Sequence, residues 1–370
     1  MRRDLERIEI PGEHEARERS WAVVQAAFAE REPQPHRRPW KPVVALAVVL
    51  VAAAGLLSPP GRAVLDEIRE VVGVEQAQPA LFSLPASGRL LVTADSGAWV
   101  VDRDGSKRLL GAYREASWSP FGKYVVAAKR HELVALEPDG DVRWTLARRA
   151  VGTPSWGGNR SDTRIAYLSG STLRAVAGDG TDDRVLATGA ARVAPVWLPR
   201  APHALTYAKR DGRVITISLQ TGRELWRTAR GESVERLQWS TDGRRLLVLR
   251  RGAVELRDRT GSLFTGIRLP SGSVAAATFR PGSHAVAYVM FQGSRSRVAL
   301  LDEPSRTLLT VPGRIGHLAW SPDGSTVLVP WPDADQWLFI PRRTGKLRAV
   351  DDISAQFGAV PRAVSWCCAP

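Results

Sequence analysis

The most chemically suggestive stretch of the chain is a short loop rich in tryptophan and aspartate. It holds Trp331, Asp333, Asp335 and Trp337 within seven residues. Aromatic faces and carboxylates crowded together are suited to binding a cation or a sugar. These four residues are therefore the candidate ligand site. The alternative is that the carboxylates belong to an ordinary solvated loop.

Residue types that perform catalysis elsewhere are present but scattered. Two further carboxylate pairs, Asp182-Asp183 and Asp351-Asp352, would suit a glycosidase only if two acids faced each other across a cleft. No serine lies in a G-x-S-x-G elbow, and no glycine-rich phosphate loop follows a strand. The sequence therefore assigns no catalytic residue, metal ligand or cofactor. The six histidines, none paired at metal-ligand spacing, are His14, His36, His131, His203, His284 and His317.

The elements that must position these residues are short strands repeated along the chain. An apolar strand that ends in an aromatic residue and runs into a turn is clearest at 318–324, Leu-Ala-Trp-Ser-Pro-Asp-Gly. Weaker copies recur about every 40 residues, which is typical of a β-propeller. We expect an all-β fold of seven blades, with the repeated aromatic residues packed between blades. These are Trp118, Trp156, Trp197, Trp239, Phe279, Trp320 and Trp366.

Two incomplete repeats at the ends of this region complement each other. Residues 88–110 read as three strands with no Trp-ending strand before them, whereas 362–366 is such a strand with none after it. Pairing them would complete the first blade and remove two exposed sheet edges. The sequence therefore predicts that the C-terminal strand closes the ring.

These repeats resemble the WD-repeat-like propeller modules of TolB type, whose hallmark is an apolar strand followed by W-S-P-D-G. Residues 321–324 match the turn fully, and 119–122 and 240–243 match it in part. The resemblance covers 80–370, although the Gly-His and Trp-Asp pairs of eukaryotic WD repeats are missing. Segments 139–144 and 219–226 are similar to the repeat of pyrroloquinoline-quinone-type propellers, without a set of cofactor ligands. The whole arrangement is also similar to single-span propeller proteins of high-GC actinobacteria.

An apolar run precedes the repeats. Residues 43–57 contain no polar side chain, and 42–58 reaches the minimum length of a transmembrane helix. A signal peptide is the main alternative, but 41 residues is long for its leader. Basic residues cluster on the N-terminal side at His36, Arg37, Arg38 and Lys41, which predicts a cytoplasmic N-terminus and an extracytoplasmic propeller. The predicted segments are 1–41 cytosolic, 42–58 membrane helix, 59–79 juxtamembrane helix and linker, and 80–370 propeller.

Short amphipathic helices are expected on both sides of this span. Trp21, Val24 and Phe28 recur at helical spacing within 13–32, so their face is a candidate for binding a cytosolic partner or the bilayer surface. The alternative is a marginal helix that merely precedes the membrane. Residues 62–74 repeat apolar residues in the same way and predict the juxtamembrane helix.

The formal net charge of +14 gives the chain a basic surface. Such a surface attracts anionic polymers or lipid headgroups. The alternative is codon bias, because a GC-rich genome favours arginine. Only two cysteines are present, Cys367 and Cys368. Adjacent cysteines cannot chelate zinc by themselves, and the sequence leaves a disulfide between them, pairing between chains and free thiols all open.

The predicted function is interaction or envelope sensing by a membrane-anchored propeller, without catalysis and without a cofactor. A rigid ring with variable loops suits binding, and the expected partners are a protein or an anionic envelope polymer. No nucleic acid is expected if the propeller lies outside the membrane. The alternative is an enzyme, either a hydrolase or a quinone-dependent oxidoreductase, that uses loops at one face of the ring.

Overall fold

A computed structural model of the chain describes residues 83–159, 161–199, 201, 203–268, 273–301, 306–343 and 345–368. The predicted cytosolic helix with Trp21, Val24 and Phe28, the membrane span 42–58 and the juxtamembrane helix lie outside these residues. Within the described ranges, no helix is both long and apolar enough to span a bilayer.

The described chain forms seven four-stranded antiparallel sheets, which confirms the predicted all-β propeller with seven blades. In each blade the strands follow one another by short connections, because the strands are two to eight residues long and many of the turns between them contain a glycine with positive φ. Four blades come from the first half of the repeat region. Their strands are β1 Arg89–Ala94, β2 Gly97–Val101 and β3 Lys107–Gly111 in blade 1; β4 Glu115–Trp118, β5 Val125–Lys129, β6 Glu132–Leu136 and β7 Val142–Ala147 in blade 2; β8 Val151–Gly158, β9 Thr163–Ser169, β10 Thr172–Ala177 and β11 Arg184–Ala187 in blade 3; and β12 Val196–Trp197, β13 Ala204–Ala208, β14 Val214–Ser218 and β15 Glu224–Arg227 in blade 4.

The second half of the region continues the pattern and adds two short helices in blade 7. The strands are β16 Val234–Trp239, β17 Arg245–Arg250, β18 Ala253–Asp258 and β19 Leu263–Arg268 in blade 5; β20 Ser273–Phe279, β21 Val286–Gln292, β22 Arg295–Leu301 and β23 Arg306–Pro312 in blade 6; β24 Ala319–Trp320, β25 Thr326–Trp331, β26 Gln336–Pro341 and β27 Arg348–Val350 in blade 7; and finally β28 Ala363–Cys367. The helices are a 3-10 helix, Pro332–Ala334, and α1, Ile353–Phe357.

The last strand closes the ring, as the sequence predicts. Strand β28 pairs antiparallel with β1, with Trp366 opposite Leu90, and is the inner strand of blade 1. Two sheet edges that would otherwise be unpaired are joined in this way. Cys367 and Cys368, at the end of β28, form a disulfide with each other.

In blades 2, 5 and 7 the turn after the inner strand is built by the repeat motif itself, because its serine hydroxyl accepts a backbone N–H from across the turn. In blade 7 the Ser321 hydroxyl donates to Asp323 Oδ1 at 2.5 Å and accepts the Thr326 N–H at 3.0 Å. Gly324 has φ +64°, a conformation that glycine adopts without steric cost. Local hydrogen bonds therefore fix the turn, which explains why this motif marks the repeat.

The core is divided among the contacts between blades. The described residues form seven buried apolar clusters, each drawn from two adjacent blades. The repeated tryptophans lie in these clusters: Trp239 Nε1 donates to Thr206 Oγ1 of blade 4 at 3.1 Å, and Trp156 stacks on Tyr124 of blade 2. A ring of seven such contacts makes the scaffold rigid, so the loops can vary.

Antiparallel pairing sorts the loops onto two faces. The upper face carries the hairpins between the second and third strands of each blade and the links from the outer strand to the next inner strand. The lower face carries the other turns, including Ser321-to-Gly324. The described chain enters the ring on the lower face, where the Leu84 N–H donates to the Arg103 carbonyl at 2.8 Å.

Candidate functional site

The four sequence-predicted ligand residues lie together on the upper face of blade 7. The 3-10 helix between β25 and β26 presents Asp333, whose Oδ2 accepts the Arg314 N–H at 2.9 Å. Asp335 accepts the N–H and the hydroxyl of Ser354, at 2.7 and 2.6 Å, and so anchors α1. The structure thus brings the residues together and gives both carboxylates partners inside the protein.

The aromatic members of this group are enclosed as well. Trp331 and Trp337 are each 1% exposed. Trp331 Nε1 donates to the Pro312 carbonyl at 2.9 Å, and the Trp337 ring stacks on Phe357 with 5.2 Å between centroids. The depression beside them has a volume of about 10 Å³, room for one water molecule at most. Their ring faces therefore pack against protein.

The acid that follows β27 extends this acidic region. Burial raises the pKa of Asp351, and the nearby charges of Asp352 and Asp335 raise it further, while a hydrogen bond from Gln336 lowers it. Blade 7 therefore concentrates negative charge on its part of the upper face and holds it in place with internal hydrogen bonds.

The larger cavity of the upper face lies over blades 2, 3 and 4. Its volume is about 300 Å³, at the lower end of the range for small-molecule sites. Four cationic side chains line it: Arg114 just before β4, Lys129 and Arg130 at the β5–β6 hairpin, and Arg192 in the link to β12. The acid in its lining is Glu115. Blade 2 and the link from blade 3 to blade 4 thus place positive charge around one cavity.

Only part of this charge is neutralised within the protein. Arg192 Nη2 donates to Glu115 Oε1 at 2.8 Å, and Lys129 lies 3.6 Å from Glu132. The guanidinium groups of Arg114 and Arg130 form no hydrogen bond or ion pair with any residue that the structure describes. The cavity therefore carries uncompensated positive charge in a concave site, where field lines are focused.

The cavity floor is held in an unusual backbone conformation. Ala150 and Thr153 both have positive φ, 51° and 48°, and the β8–β9 pairing shifts register between Gly152 and Ser155. The Thr153 N–H donates to Glu115 Oε2, while its own buried hydroxyl has no partner among the described residues. Backbone strain and an unsatisfied buried hydroxyl recur at functional sites, where the surrounding fold maintains them.

The other sequence candidates serve local structure. Asp183 lies between blades 2 and 3, where Arg148, Arg174 and Tyr167 all donate to it. Burial and the hydrogen bond to Asp183 raise the pKa of Tyr167 to about 12. His284 Nε2 lies 2.9 Å from Asp242 in a lower-face turn. No group of three or more potential metal ligands occurs among the described residues.

Few of the residues that line the cavity stand out in the sequence. Lys129 and Arg130 stand side by side in the sequence, but Arg114, Glu115 and Arg192 carry no sequence signal of their own. Arg192 and Glu115 are 77 positions apart and meet only because successive blades curve around one axis. Basic residues in upper-face loops of consecutive blades are the pattern that would have indicated the site.

Comparison with known proteins agrees with the fold. No protein-family model and no curated protein matches this chain. Among solved structures, a protein from Bacteroides uniformis provisionally named a 6-phosphogluconolactonase aligns with TM-score 0.57 and 14% identity, over 76% of this chain and 100% of that one. A protein from Bacteroides fragilis with the same provisional name gives 0.54 and 14%, over 76% and 98%. The β-propeller domain of Cps50 (Swd1) from Myceliophteria thermophila gives 0.52 and 13%, over 65% and 86%. At these identities the similarity concerns the propeller fold alone.

Proposed function

We propose that this protein is a membrane-anchored, extracytoplasmic propeller that binds an anionic envelope polymer through the cavity over blades 2–4. The observation that carries the proposal is the pair of guanidinium groups of Arg114 and Arg130, which have no partner among the described residues, in a concave site of about 300 Å³. A guanidinium presents a rigid fork of donors that matches carboxylate and phosphate groups, which makes arginine suited to such ligands.

The cavity is sized for one charged unit of a polymer, and the surrounding loops extend the positive surface. Three more arginines, all exposed, occupy upper-face loops of blades 2, 4 and 5: Arg149, Arg210 and Arg251. A chain with regularly spaced phosphate or carboxylate groups would gain several weak contacts outside the cavity in addition to the one inside it.

Binding is tested with full-length protein in detergent and three labelled polymers: polyphosphate, polygalacturonate and neutral dextran. We expect the two anionic polymers to bind, with affinity that falls as salt rises, and dextran not to bind. The double variant Arg114→Gln/Arg130→Gln should lose most of the affinity. Arg223→Gln/Arg259→Gln removes the same charge from exposed lower-face turns and is the matched control. Equal losses in both double variants would mean that net charge, and no particular site, governs binding.

The membrane part of the proposal rests on the apolar segment 42–58 and the basic residues before it. Protease accessibility on intact spheroplasts, with a tag at each end of the chain, tests it. Loss of the C-terminal tag with survival of the N-terminal tag is the expected result. Protection of both tags would put the propeller in the cytoplasm and redirect the search to cytosolic anions.

The second candidate function is enzymatic, and the cationic cavity favours an anionic substrate. The name 6-phosphogluconolactonase of the two Bacteroides structures denotes action on a phosphorylated sugar lactone, and such an anion fits the charge of this cavity. Following hydrolysis of 6-phosphogluconolactone above its spontaneous rate tests the idea directly. Turnover that disappears in Arg114→Gln/Arg130→Gln would favour the enzyme, whereas polymer binding without turnover favours the binding module.

A further inference from the structure

The disulfide between Cys367 and Cys368 lies at the end of β28, on the lower face of the ring and away from the cavity over blades 2–4. A disulfide stabilises a fold mainly by closing a loop of the unfolded chain, and the effect grows with the length of that loop. Between neighbouring residues the loop contains no other residue, so this bond contributes as little stability as a disulfide can. The pair is therefore better explained by its chemistry than by cross-linking of the fold.

The contact between blades 1 and 2 holds the pair in place. Cys367 packs against the apolar cluster shared by these two blades, which contains Trp118. A Cβ atom added to Gly122, in the repeat turn of blade 2, would lie 2.8 Å from both Cβ and Sγ of Cys368. Cys368 has φ 56°, an uncommon conformation for a residue other than glycine, and such backbone strain recurs at functional sites. Both cysteines are only half-buried, so solutes can reach them.

Arg89 places a positive charge beside the disulfide. It lies directly opposite Cys367 in the pairing of β1 with β28, and opposed residues of an antiparallel sheet direct their side chains to the same face. Its Nη2 donates to the Gly122 carbonyl at 2.6 Å, and its guanidinium lies 5.2 Å from the centre of the Trp118 ring. The Cβ position on Gly122 that meets Cys368 Sγ is 3.7 Å from Arg89 Nη2. No described carboxylate forms an ion pair with Arg89, so this charge is uncompensated.

We infer that Cys367 and Cys368 form a thiol–disulfide exchange site that takes two electrons from a dithiol partner. A thiolate of the dithiol attacks Cys368 Sγ, the S–S bond breaks, and its electron pair leaves on Cys367 as a thiolate beside Arg89. The second thiolate of the dithiol then attacks its own sulfur in the mixed disulfide, and Cys368 leaves in turn. The two protons of the dithiol pass to the two cysteines. The protein thus gains two thiols, and its partner gains one disulfide.

The closeness of the two cysteines favours a dithiol over a monothiol. In the mixed disulfide the Cys367 thiolate is one residue from the attacked sulfur, so it can expel a monothiol before a second one arrives. A dithiol carries its second sulfur in the same molecule, at a high effective concentration, and therefore completes the reduction.

Timed reduction of full-length protein in detergent tests the site, with dithiothreitol and 2-mercaptoethanol at equal thiolate concentration. Alkylation and mass spectrometry count the thiols, and each one comes from this pair because the chain has no other cysteine. Dithiothreitol should reduce the folded protein about tenfold faster, or more. Equal rates for the two reagents, or a disulfide that both leave intact in the folded protein, would overturn the inference.

The role of Arg89 is tested with the same assay. Arg89→Gln should slow reduction by dithiothreitol about threefold, because the departing thiolate loses a positive neighbour, whereas Arg89→Lys should keep the wild-type rate. A merely loosened contact between blades 1 and 2 would expose the disulfide and speed its reduction. Arg103→Gln, in an exposed lower-face turn of blade 1, is the matched control and should react as the wild type does. Reduction of Arg89→Gln as fast as that of Arg103→Gln, or faster, would contradict the proposed site.

Two further measurements separate exchange chemistry from a structural role. In denaturant Arg89 no longer lies beside the pair, so wild type and Arg89→Gln should be reduced at the same rate; a difference that persists there would count against the site. Cys367→Ser/Cys368→Ser should change the Tm by less than about 3 °C, because the lost bond closes the shortest possible loop. A larger fall would make the disulfide a structural bond and overturn the inference, whether or not Arg89→Gln folds.

Discussion

Blade 7 and blades 2–4 both place charged loops on the upper face of one rigid ring, and they use them differently. In blade 7 the carboxylates have hydrogen-bond donors within the protein. Asp333 accepts the backbone N–H of Arg314, and Asp335 accepts the backbone N–H of Ser354. Over blades 2–4 the guanidinium groups of Arg114 and Arg130 have no partner among the described residues, and a cavity of about 300 Å³ lies beside them.

The difference shows how to recognise a binding site on a propeller. A cluster of tryptophan and aspartate residues is as well suited to stabilising a loop as to binding a ligand, because both residue types make strong contacts within the protein. A binding site needs polar groups that the fold holds in position but leaves without a hydrogen-bond partner. Burial and hydrogen bonding therefore distinguish the two regions, although their residue types do not. Variants in blade 7 should lose stability, whereas variants over blades 2–4 should lose binding.

The largest expected effect is on stability, in blade 7. Trp337→Ala removes a ring that is 1% exposed and stacked on Phe357, so it should lower the free energy of unfolding by about 3–5 kcal/mol. Denaturant unfolding measures the change. Polyphosphate affinity of the folded fraction should stay at the wild-type value. A protein of wild-type stability that had lost binding would mean that this loop is a ligand site.

A smaller loss of stability is expected from Asp335→Ala. The substitution leaves the Ser354 N–H and hydroxyl without their acceptor and should cost about 2 kcal/mol. Asp335→Asn keeps one acceptor and tolerates the positive φ of 55° at this position, so it should cost about half as much. Equal costs for the two variants would show that the hydrogen bonds to Ser354 contribute little.

The reverse pattern is expected over blades 2–4. Arg130→Gln should weaken polyphosphate binding about tenfold, which corresponds to about 1.4 kcal/mol, because one charge-assisted contact is lost. The free energy of unfolding should change by less than about 0.5 kcal/mol, since the side chain has no internal partner among the described residues. Titration and denaturant unfolding on one protein preparation give both numbers. Destabilisation by more than 1 kcal/mol with intact binding would assign Arg130 a structural role.

The smallest effect should appear in the pH dependence of blade 7. The pKa of Asp351 is raised by burial, so the folded state binds more protons than the unfolded state just above the unfolded pKa of about 3.9. Stability contributed by this group therefore falls as pH rises through that window. Asp351→Asn should be more stable than wild type at pH 7, by less than about 1 kcal/mol, and equal to it near pH 3. A variant less stable at pH 7 would show that the charge is favourable.

The fold was predictable because its signals are local. The repeated tryptophans and the Ser-Pro-Asp-Gly turn each act within a few residues, and two incomplete repeats were enough to predict that β28 closes the ring on β1. Finer detail is not local in this way: the inner strand of blade 5 contains a register shift between Val234 and Arg236 that the sequence does not reveal.

The binding cavity was not predictable in the same way. Its charges come from blade 2 and from the link between blades 3 and 4, and Glu115 meets Arg192 from 77 positions away. In blade 7, the partners that satisfy Asp333 and Asp335 lie 19 positions away in each case. Whether a polar side chain has a partner depends on such distant contacts, and this decides whether it is free to bind a ligand.

Hydrogen exchange on full-length protein, with and without polyphosphate, tests the central claim most directly. Protection confined to the backbone at 114–115, 128–130, 150–152 and 192, with no change at 331–337, is the result that the account predicts. Protection at 331–337 and α1 instead, with none over blades 2–4, would contradict it and return the binding role to the tryptophan and aspartate loop.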